Sequence, residues 1–514
     1  MSHPRPNKSN KAIERLCGEA SEAWSRQDYQ KSISLLEQAV QKEPSNPSLH
    51  LNLGRAHGLR YDYPALERCI EKALQVSQGR VEILEEAASI CSIKNMDLML
   101  GYLERASQKK GVSICALTSL ADIYILDNRI DEAAEVVARA AQIDRKDPRV
   151  LLKQAVLGQQ RGQINEAEPQ FRELLANSAA DVLTRVRAAY ALAGILDAAG
   201  HYDEAMTALL EGKAIQRAQA AAFAAPLQQM QKLNTDMAQC ITAAILDRWR
   251  NDGRKLQPRR IALLTGHPRS GTTLLEQVLD AHSDVISLEE TTLIHDEIYA
   301  PMGRDFPASA GIFQMLDSGP PSVIRQLREN YFQCAERFLR EPIGNRLLVD
   351  KNPGVNVMVP VLARVFPETK FLVALRDPRD VVMSCFRQSL TLTPVSCAYL
   401  SLGETVKQYV SVMDFWRAML PRMGDQAMYV RYEEMVQDLP AVARSVLSFL
   451  GVGFEENVLK FYEHARTKRV NSPSQAEVKK PVYRSAVGRW RNYESYLEPY
   501  LAGLKPFLKE LNYH

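Results

Sequence analysis

The segment from Leu264 to Asp280, LTGHPRSGTTLLEQVLD, most constrains how this chain folds. It joins an apolar, strand-like run to an amphipathic, helix-like run through a glycine-framed loop. Gly266 and Gly271 enclose four residues and are followed by Thr272 and Thr273. A loop of this kind places backbone N–H groups at the start of a helix, where they face an anion. The segment therefore predicts a phosphate-binding cradle between a strand and a helix.

The loop differs from that of a nucleotide hydrolase at one position. The pattern G-x-x-x-x-G-K-[ST] has a lysine where this chain has Thr272. In such hydrolases, that lysine acts on the β and γ phosphates and the next hydroxyl binds Mg²⁺. This loop is poorly equipped to cleave a triphosphate. We expect it to hold a pyrophosphate or a 5′-phosphosulfate through the N–H groups of residues 270–273, the threonine hydroxyls and the Arg269 fork.

A second anion-binding element is predicted about a hundred residues later, in KFLVALRDPRDVVMSCFRQ. This segment is typical of a buried strand, 371–375, followed by a basic turn and a helix. Arg376 stands at the strand end and Ser384 lies eight residues further along. That interval lets a strand-end residue and a helix residue converge on a crevice outside the sheet.

Together, PRSGTT after one strand and the R-to-S interval after another resemble the sulfotransferases that use 3′-phosphoadenosine 5′-phosphosulfate (PAPS). The resemblance covers about residues 260–512. It implies that Arg376 and Ser384 bind the 3′-phosphate of PAPS. It implies that the 5′-phosphosulfate lies in the cradle formed by Arg269, Ser270, Gly271, Thr272 and Thr273.

The same resemblance implies the groups that carry out the reaction. The segment ISLEETTLI is similar to the GEET segment of tyrosylprotein sulfotransferases, whose second glutamate is the catalytic base. Glu290 occupies that place, with Glu289 as the alternative. A carboxylate in a partly dehydrated cleft has a raised pKa and can accept a hydroxyl proton. Both glutamates are also typical of a helix start. Lys351, in VDKNP, matches the lysine that neutralises charge on the leaving phosphate; a solvated lysine in a turn is the alternative.

Three further residues are implied to contact the nucleotide. Tyr432, in VRYEEM, lies where the family has a nucleotide-binding tyrosine, although a core tyrosine is the alternative. Ser474 and Arg489 match a closing segment that covers the cofactor. The alignment there needs one extra residue, so Ser472 is an alternative to Ser474. At position 489 this chain has arginine where the family has lysine. A planar guanidinium can still bind phosphate, but it reaches it with a different geometry from an ammonium.

Two departures from the tyrosine-sulfating members leave the acceptor open. Those members have an arginine two residues after the catalytic glutamate, where this chain has Thr292. An arginine after the 3′-phosphate serine aligns with Gln388, and Arg387 is one position early. The acceptor group is therefore a hydroxyl, with protein tyrosine among the candidates, or an amine.

The first part of the chain repeats a helical pattern. Tyr29 and Tyr63 lie thirty-four residues apart, as do Ile130 and Ile164, and Tyr202 follows after thirty-eight. This period is similar to that of the tetratricopeptide repeat (TPR) family. We expect five or six units; a non-repeating helical bundle is the alternative. Small residues recur where paired helices must approach closely: Ala39, Ala73, Ala106, Ala140 and Ala167.

The predicted fold is an all-α TPR solenoid followed by an α/β, P-loop-like parallel-sheet sulfotransferase domain. We assign residues 10–215 to the repeats, 216–258 to a helical linker and 259–514 to the sulfotransferase domain. Strand-like runs that alternate with helical patterns support the parallel sheet. These runs are 261–264, 347–349, 371–375 and 428–431.

Composition excludes several function classes. The 64 basic and 61 acidic residues give a net charge of +3, which predicts neither nucleic-acid nor membrane binding. The eight cysteines have no metal-site spacing and are typical of reduced thiols, so we expect no metal and a cytoplasmic location. The polar N-terminus and the absence of a run of about 18 apolar residues predict neither export nor a membrane span.

The sequence thus predicts a PAPS-dependent sulfotransferase whose repeats bind a peptide or protein partner. The alternative is a non-catalytic TPR adaptor with a degenerate sulfotransferase-like domain. A small-molecule kinase is disfavoured because the loop lacks its lysine. Neither the acceptor nor the oligomeric state can be read from the sequence.

Overall fold

The computed structural model describes residues 8–91, 95–304, 311–468 and 475–513. The chain divides into two compact units, residues 1–200 and 201–514. The domain bounds at 215 and 258 stay a prediction.

The first unit is helical, and each of its helices packs against its neighbours in the sequence. Its described part contains α1 Lys8–Ser25, α2 Tyr29–Lys42, α3 Pro47–Leu59, α4 Tyr63–Val76, α5 Val81–Cys91, α6 Met96–Ser107, α7 Ile114–Leu126, α8 Ile130–Ile143, α9 Pro148–Gln160, α10 Ile164–Ala176 and α11 Val182–Ala198.

The 34-residue period sets where these helices begin. Helices α2 and α4 begin at Tyr29 and Tyr63, and the side chains of Asp28 and Asp62 cap them by accepting from backbone N–H groups. Such capping satisfies donors that a helix start leaves without partners. The recurrent alanines are at most 1% exposed, so the helices do approach closely there, as predicted: Ala39, Ala73, Ala106, Ala140 and Ala167.

The second unit is built from helices around a sheet. Its described helices are α12 Tyr202–Ala220, α13 Ala224–Cys240, α14 Ala243–Gly253, α15 Thr272–Asp280, α16 Ala300–Gly303, α17 Ile312–Asp317, α18 Pro321–Leu339, α19 Val359–Val365, α20 Pro378–Arg387, α21 Leu402–Met423, α22 Tyr432–Gln437, α23 Leu439–Leu450, α24 Phe461–Thr467, α25 Gln475–Val478, α26 Glu494–Leu497 and α27 Leu501–Glu510. Its strands are β1 Ile261–Gly266, β2 Val285–Glu289, β3 Leu347–Lys351, β4 Lys370–Leu375 and β5 Ala427–Arg431.

The five strands form one parallel sheet in the order β2-β3-β1-β4-β5. This confirms the predicted parallel α/β fold and all four predicted strands. Strand β2 was not among the predicted strands. The strands that follow β1 lie on both sides of it, β2 and β3 on one side and β4 and β5 on the other. This reversal of strand order opens a crevice beside β1 at the carboxyl ends of the strands.

The register aligns the carboxyl ends of the strands at that edge. Lys351 of β3 lies opposite both Leu264 of β1 and Glu289 of β2. On the other side of β1, Gly266 pairs with Ala374 of β4. Buried side chains of β1 and α15 pack in one core beneath the loop that connects them. Residues that follow the strands are therefore held on a rigid base.

Candidate active site

Two glycines shape the loop between β1 and α15. Gly266 has a φ of +126°, and a Cβ there would lie 2.5 Å from the carbonyl oxygen of Ala374. Gly271 has a φ of +95°, and its Cβ would lie 2.7 Å from the ring of Tyr432. A side chain at either position would be strained and would clash, so only glycine suits them. The loop is consequently packed directly against β4 and Tyr432.

The side chain of Arg269 connects the two predicted anion-binding elements. Its backbone has a φ of +71°, which is uncommon for a residue other than glycine. Its Nε donates to Oγ of Ser384 at 3.0 Å. Arg376 in turn donates from Nη1 to the carbonyl oxygen of Arg269 at 3.4 Å. Residues 107 positions apart in the sequence thus meet at one site.

Helix α15 begins at Thr272, so the N–H groups of its first turn have no partners within the helix. The hydroxyl-bearing residues Ser270, Thr272 and Thr273 are all at least 92% buried. The backbone N–H of Ser270 donates to the carbonyl oxygen of His267 at 3.2 Å, so it is engaged within the loop. The cradle predicted from 270 to 273 therefore has its backbone donors at the helix start rather than at Ser270.

Arg376 lies at the end of β4 and is only 9% exposed. Its guanidinium carbon lies 4.7 Å from the centre of the Tyr432 ring, and its Nη2 donates to the carbonyl oxygen of Ala486. Within the described part of the chain, its buried Nε has no hydrogen-bond partner. A buried guanidinium with an unused donor is suited to an anion.

The segment 486–490 lies against the start of α20. The backbone N–H groups of Gly488 and Trp490 donate to the carboxylate of Asp380 at 2.7 and 2.9 Å. Burial raises the pKa of Asp380, and the charge of Arg376 opposes that rise. The predicted Arg489, between these two anchors, has an exposed side chain. Ser474 and its alternative Ser472 lie outside the described residues.

Glu290 and Lys351 meet at the carboxyl ends of β2 and β3. Nζ of Lys351 donates to Oε1 of Glu290 at 2.8 Å, and the backbone N–H of Glu290 donates to the carbonyl oxygen of Lys351 at 2.9 Å. Glu290 has a φ of +45°, a costly conformation that such sites often contain. The Lys351 side chain is fully buried, whereas that of Glu290 is 40% exposed.

Sequence reasoning missed a third member of this group, Glu276 of α15. Its Oε2 lies 3.5 Å from Nζ of Lys351, and both side chains are fully buried. The hydroxyl of Ser287 donates to Oε1 of Glu276 at 3.1 Å. Burial raises the pKa of Glu276, although the Lys351 charge opposes the rise. Burial alone would lower the pKa of Lys351, but its two carboxylates outweigh that effect and raise it.

These positions combine an anion cradle, two arginines and a half-exposed carboxylate held by a buried ammonium. Such a set can bind a doubly anionic ligand, accept a proton and stabilise developing negative charge. Among the described residues, no group of three or more His, Cys, Asp or Glu side chains is arranged to hold a metal ion. In the same part of the chain, every helix is too short or too polar to cross a membrane.

Comparison with protein families decides the assignment of this region. Residues 262–456 match the model of the sulfotransferase family, and residues 17–63 match that of the tetratricopeptide repeat. This part of the chain is therefore similar to the sulfotransferase family. The matched region contains the loop, both arginines, Glu276, Glu290 and Lys351.

Individual relatives are similar to this chain over different shares. An uncharacterized protein of Aquifex aeolicus is 23% identical, over 80% of this chain and 52% of its own length. The chain thus spans about half the length of that relative. A putative protein-tyrosine sulfotransferase of Caenorhabditis briggsae is 26% identical, over 49% of this chain and 89% of its own length. The solved sulfotransferase domain of the Synechococcus PCC 7002 olefin synthase is 23% identical, with a TM-score of 0.33, over 46% of this chain and 88% of that domain.

Proposed function

We propose that this chain is a PAPS-dependent sulfotransferase that moves a sulfuryl group to a hydroxyl or amine acceptor. The observation that carries the proposal is the position of Arg269, whose side chain donates to Ser384 and whose backbone carbonyl accepts from Arg376. Two separate anion-binding elements thereby face one crevice, as a ligand with phosphates at both ends of an adenosine requires.

The residues present fit PAPS. Helix α15 begins at Thr272, directly after the loop, so backbone N–H groups are available to a phosphate, and Arg376 retains a buried donor without a partner among the described residues. When bound, PAPS supplies the sulfuryl group and leaves as 3′,5′-ADP. The following residues would hold it: Arg269, Ser270, Gly271, Thr272 and Thr273 at the 5′ end, Arg376 and Ser384 at the 3′ end, and Tyr432, Ser474 and Arg489 around the nucleotide.

Glu290 would accept a proton from the acceptor, and Lys351 would stabilise the charge on the leaving group. Glu290 is exposed enough to meet an acceptor and accepts the proton of its hydroxyl or amine. The ammonium of Lys351 is buried away from water. Its attraction to the negative charge on the leaving phosphate is therefore weakly screened. No step of this scheme requires a metal ion.

The acceptor would be chosen by residues next to Glu290. Thr292, which replaces the arginine of tyrosine-sulfating members, donates its hydroxyl to Asp296 at 2.5 Å. An acidic peptide loses a cationic contact at this position, so we expect acceptors that do not depend on it; tyrosine in a neutral sequence is one. The tetratricopeptide repeats would bind the protein that carries the acceptor, or another partner.

Ligand-induced stabilisation tests the proposal first. PAPS and 3′,5′-ADP should each raise the melting temperature in differential scanning fluorimetry, because a ligand that binds only the folded state stabilises it. Stabilisation by ATP with Mg²⁺ but not by 3′,5′-ADP would favour a kinase. No response to any of the three would favour the non-catalytic adaptor.

Two variants then separate binding from turnover. Arg376→Ala should weaken 3′,5′-ADP binding in isothermal titration calorimetry by about 10-fold to 100-fold, as loss of a charged hydrogen bond does. Glu290→Gln should bind 3′,5′-ADP normally and lose about 100-fold or more of the transfer rate. Transfer is followed by mass spectrometry of +SO₃ products from peptide, glycan and phenol panels. Normal binding by Arg376→Ala would refute its assignment.

A further inference from the structure

We propose that Glu276 is a positioning residue that keeps Lys351 in place and protonated while Glu290 accepts the acceptor's proton. The inference rests on the proposed function, and it adds a residue to which neither the loop pattern nor the family resemblance assigns a role.

Lys351 lies between two carboxylates that differ in their access to water. On the exposed side, Glu290 Oε1 lies 2.8 Å from Nζ. On the buried side, Glu276 Oε2 lies 3.5 Å from Nζ, with no exposure of either side chain. Ser287 of β2 fixes the orientation of the buried carboxylate by donating to its other oxygen at 3.1 Å. Glu276 is therefore held behind Lys351, away from the acceptor.

The proton transfer explains why a second carboxylate is needed. As the acceptor's O–H or N–H bond breaks, its proton forms a bond to Glu290, which becomes a neutral carboxyl group. Lys351 then has no negative partner at Glu290. A buried ammonium without a counter-charge is strongly disfavoured and tends to lose its proton. Glu276 remains ionised at that moment and holds the charge of Lys351 for the leaving phosphate.

Other charges face Glu276 from each neighbouring element. Besides Lys351 of β3, they are Glu289 of β2, Asp280 on the same helix and Lys468 after α24. Since burial raises the pKa of Glu276, its protonation begins at a higher pH than that of an ordinary glutamate as pH falls. Below that pH, Lys351 loses the charge of its buried partner, while Glu290 and Glu289 still act on it.

The kinetic test uses Glu276→Gln, which preserves size and removes the charge. We expect kcat to fall about 100-fold with little change in the KM for PAPS, as misplacement of a reacting group does. The basic limb of the kcat profile should move to lower pH, because Lys351 loses a carboxylate that raises its pKa. Glu276→Asp, which restores the charge, should restore the position of that limb. An unchanged limb in Glu276→Gln would overturn the inference.

Asp350→Asn is the matched control. Asp350 is a second fully buried carboxylate on β3, but successive side chains of a strand point to opposite faces, and Asp350 instead accepts from Tyr331 at 2.6 Å. Its replacement should leave the kcat profile of the wild type unchanged. A shift equal to that of Glu276→Gln would mean that any buried carboxylate has this effect, and the inference would be wrong.

A binding measurement tests the same point without turnover. Calorimetry of 3′,5′-ADP binding in buffers of different ionisation enthalpy counts the protons taken up. The ligand's phosphate would interact with the ammonium of Lys351 and add a negative charge near Glu276. The pKa of Glu276 should therefore rise, and Glu276 should take up part of a proton. The uptake should be smaller in Glu276→Gln and unchanged in Asp350→Asn. No binding by the wild type would refute the proposed function and this inference together; binding with equal uptake in all three proteins would refute the inference alone.

Discussion

The two ends of the candidate site are built differently. Around Lys351, charge is buried: the side chains of Lys351 on β3 and Glu276 on α15 are fully inaccessible to water, and β2, which ends next to Glu290, is paired with β3. Around Arg376, the guanidinium donates to the backbone carbonyls of Arg269 and of Ala486 near the end of the chain, and it lies 3.8 Å from the carboxylate of Asp380. The first end is built on the sheet. The second end is covered by the segment that contains Ala486, which lies 110 residues after Arg376 in the sequence.

This difference predicts that substitutions at the two ends impair different properties of the protein. Breaking a buried ion pair leaves a charge without a partner in a medium that cannot solvate it, so the fold itself should suffer. At the second end, Arg376 donates to carbonyls of connecting segments that can rearrange, so ligand affinity should suffer more than stability. The four substitutions that follow test this contrast, from the largest expected effect to the smallest.

Lys351→Met should have the largest effect, because it leaves Glu276 buried without its counter-charge. We expect the free energy of unfolding of the second unit to fall by about 3 to 5 kcal/mol near pH 7. Denaturant titration of the wild type and the variant measures this. The matched control is Lys407→Met at a side chain that is 69% exposed, which should leave the free energy of unfolding almost unchanged. Equal stabilities of the two variants would contradict the contrast.

Asp280→Asn should remove a pH-dependent part of the stability at the same end. Burial would raise the pKa of Asp280, but the hydrogen bond from His464 and the charge of Lys468 outweigh it and lower the pKa well below its ordinary value. The stabilisation is therefore present above the ordinary aspartate pKa of about 4 and is lost as pH falls below it.

We expect Asp280→Asn to cost about 2 kcal/mol at pH 7. The gap between variant and wild type should narrow as pH falls below about 4, because the unfolded wild-type chain then binds a proton at Asp280 that the folded protein does not. Denaturant titrations at pH 7, 5, 4 and 3 measure the gap. A gap that stays constant across this range would show that the ionised form of Asp280 does not contribute.

Arg376→Lys keeps the charge at the second end but removes the planar fork. We expect affinity for 3′,5′-ADP to fall about 10-fold with almost no change in stability, because a lysine cannot reach two partners in the same geometry. Calorimetry gives the affinity. Arg364→Lys, at a buried arginine of α19 that donates to the carbonyls of Leu316 and Gly319, is the control and should bind normally. Equal weakening in both variants would argue against a specific role for Arg376.

Asp380→Asn should have the smallest effect. The amide retains one acceptor oxygen for the two N–H groups that the carboxylate binds, so we expect a loss of about 1 kcal/mol, local to segment 486–490. Hydrogen exchange should quicken at the amides of Gly488 and Trp490 while that of Leu348 in β3 stays slow. Faster exchange throughout the sheet would instead indicate a general loss of stability.

The sequence predicted most of the fold because its local signals agree with the final structure. Four of the five strands, the helix after the glycine loop and the burial of the recurrent alanines all followed from periodicity and from glycine placement. Strand β2 was missed because its apolar run is interrupted by Ser287 and leads directly into two glutamates, Glu289 at its end and Glu290 after it.

The candidate site was predicted in part. Glu290 and Lys351, from different strands, do lie in contact, and Arg376 lies beside the loop and Tyr432. Glu276 was missed because the pattern LLEQVLD assigns Glu276 and Gln277 to the solvent side of an amphipathic helix. In the structure, Glu276 and Gln277 are both completely buried, since α15 is covered on more sides than its hydrophobic period indicates.

Sequence by itself determined the helical period, the glycine loop and the two anion-binding elements, because each depends on residues close together in the chain. Tertiary structure decided which of these charges meet. The parallel register places Glu289 and Leu264 on either side of Lys351, and the covering of α15 removes water from the Glu276 pair. Burial and pairing depend on neighbours far apart in the chain, and they decide whether a carboxylate is a solvated surface group or the partner of a buried ammonium.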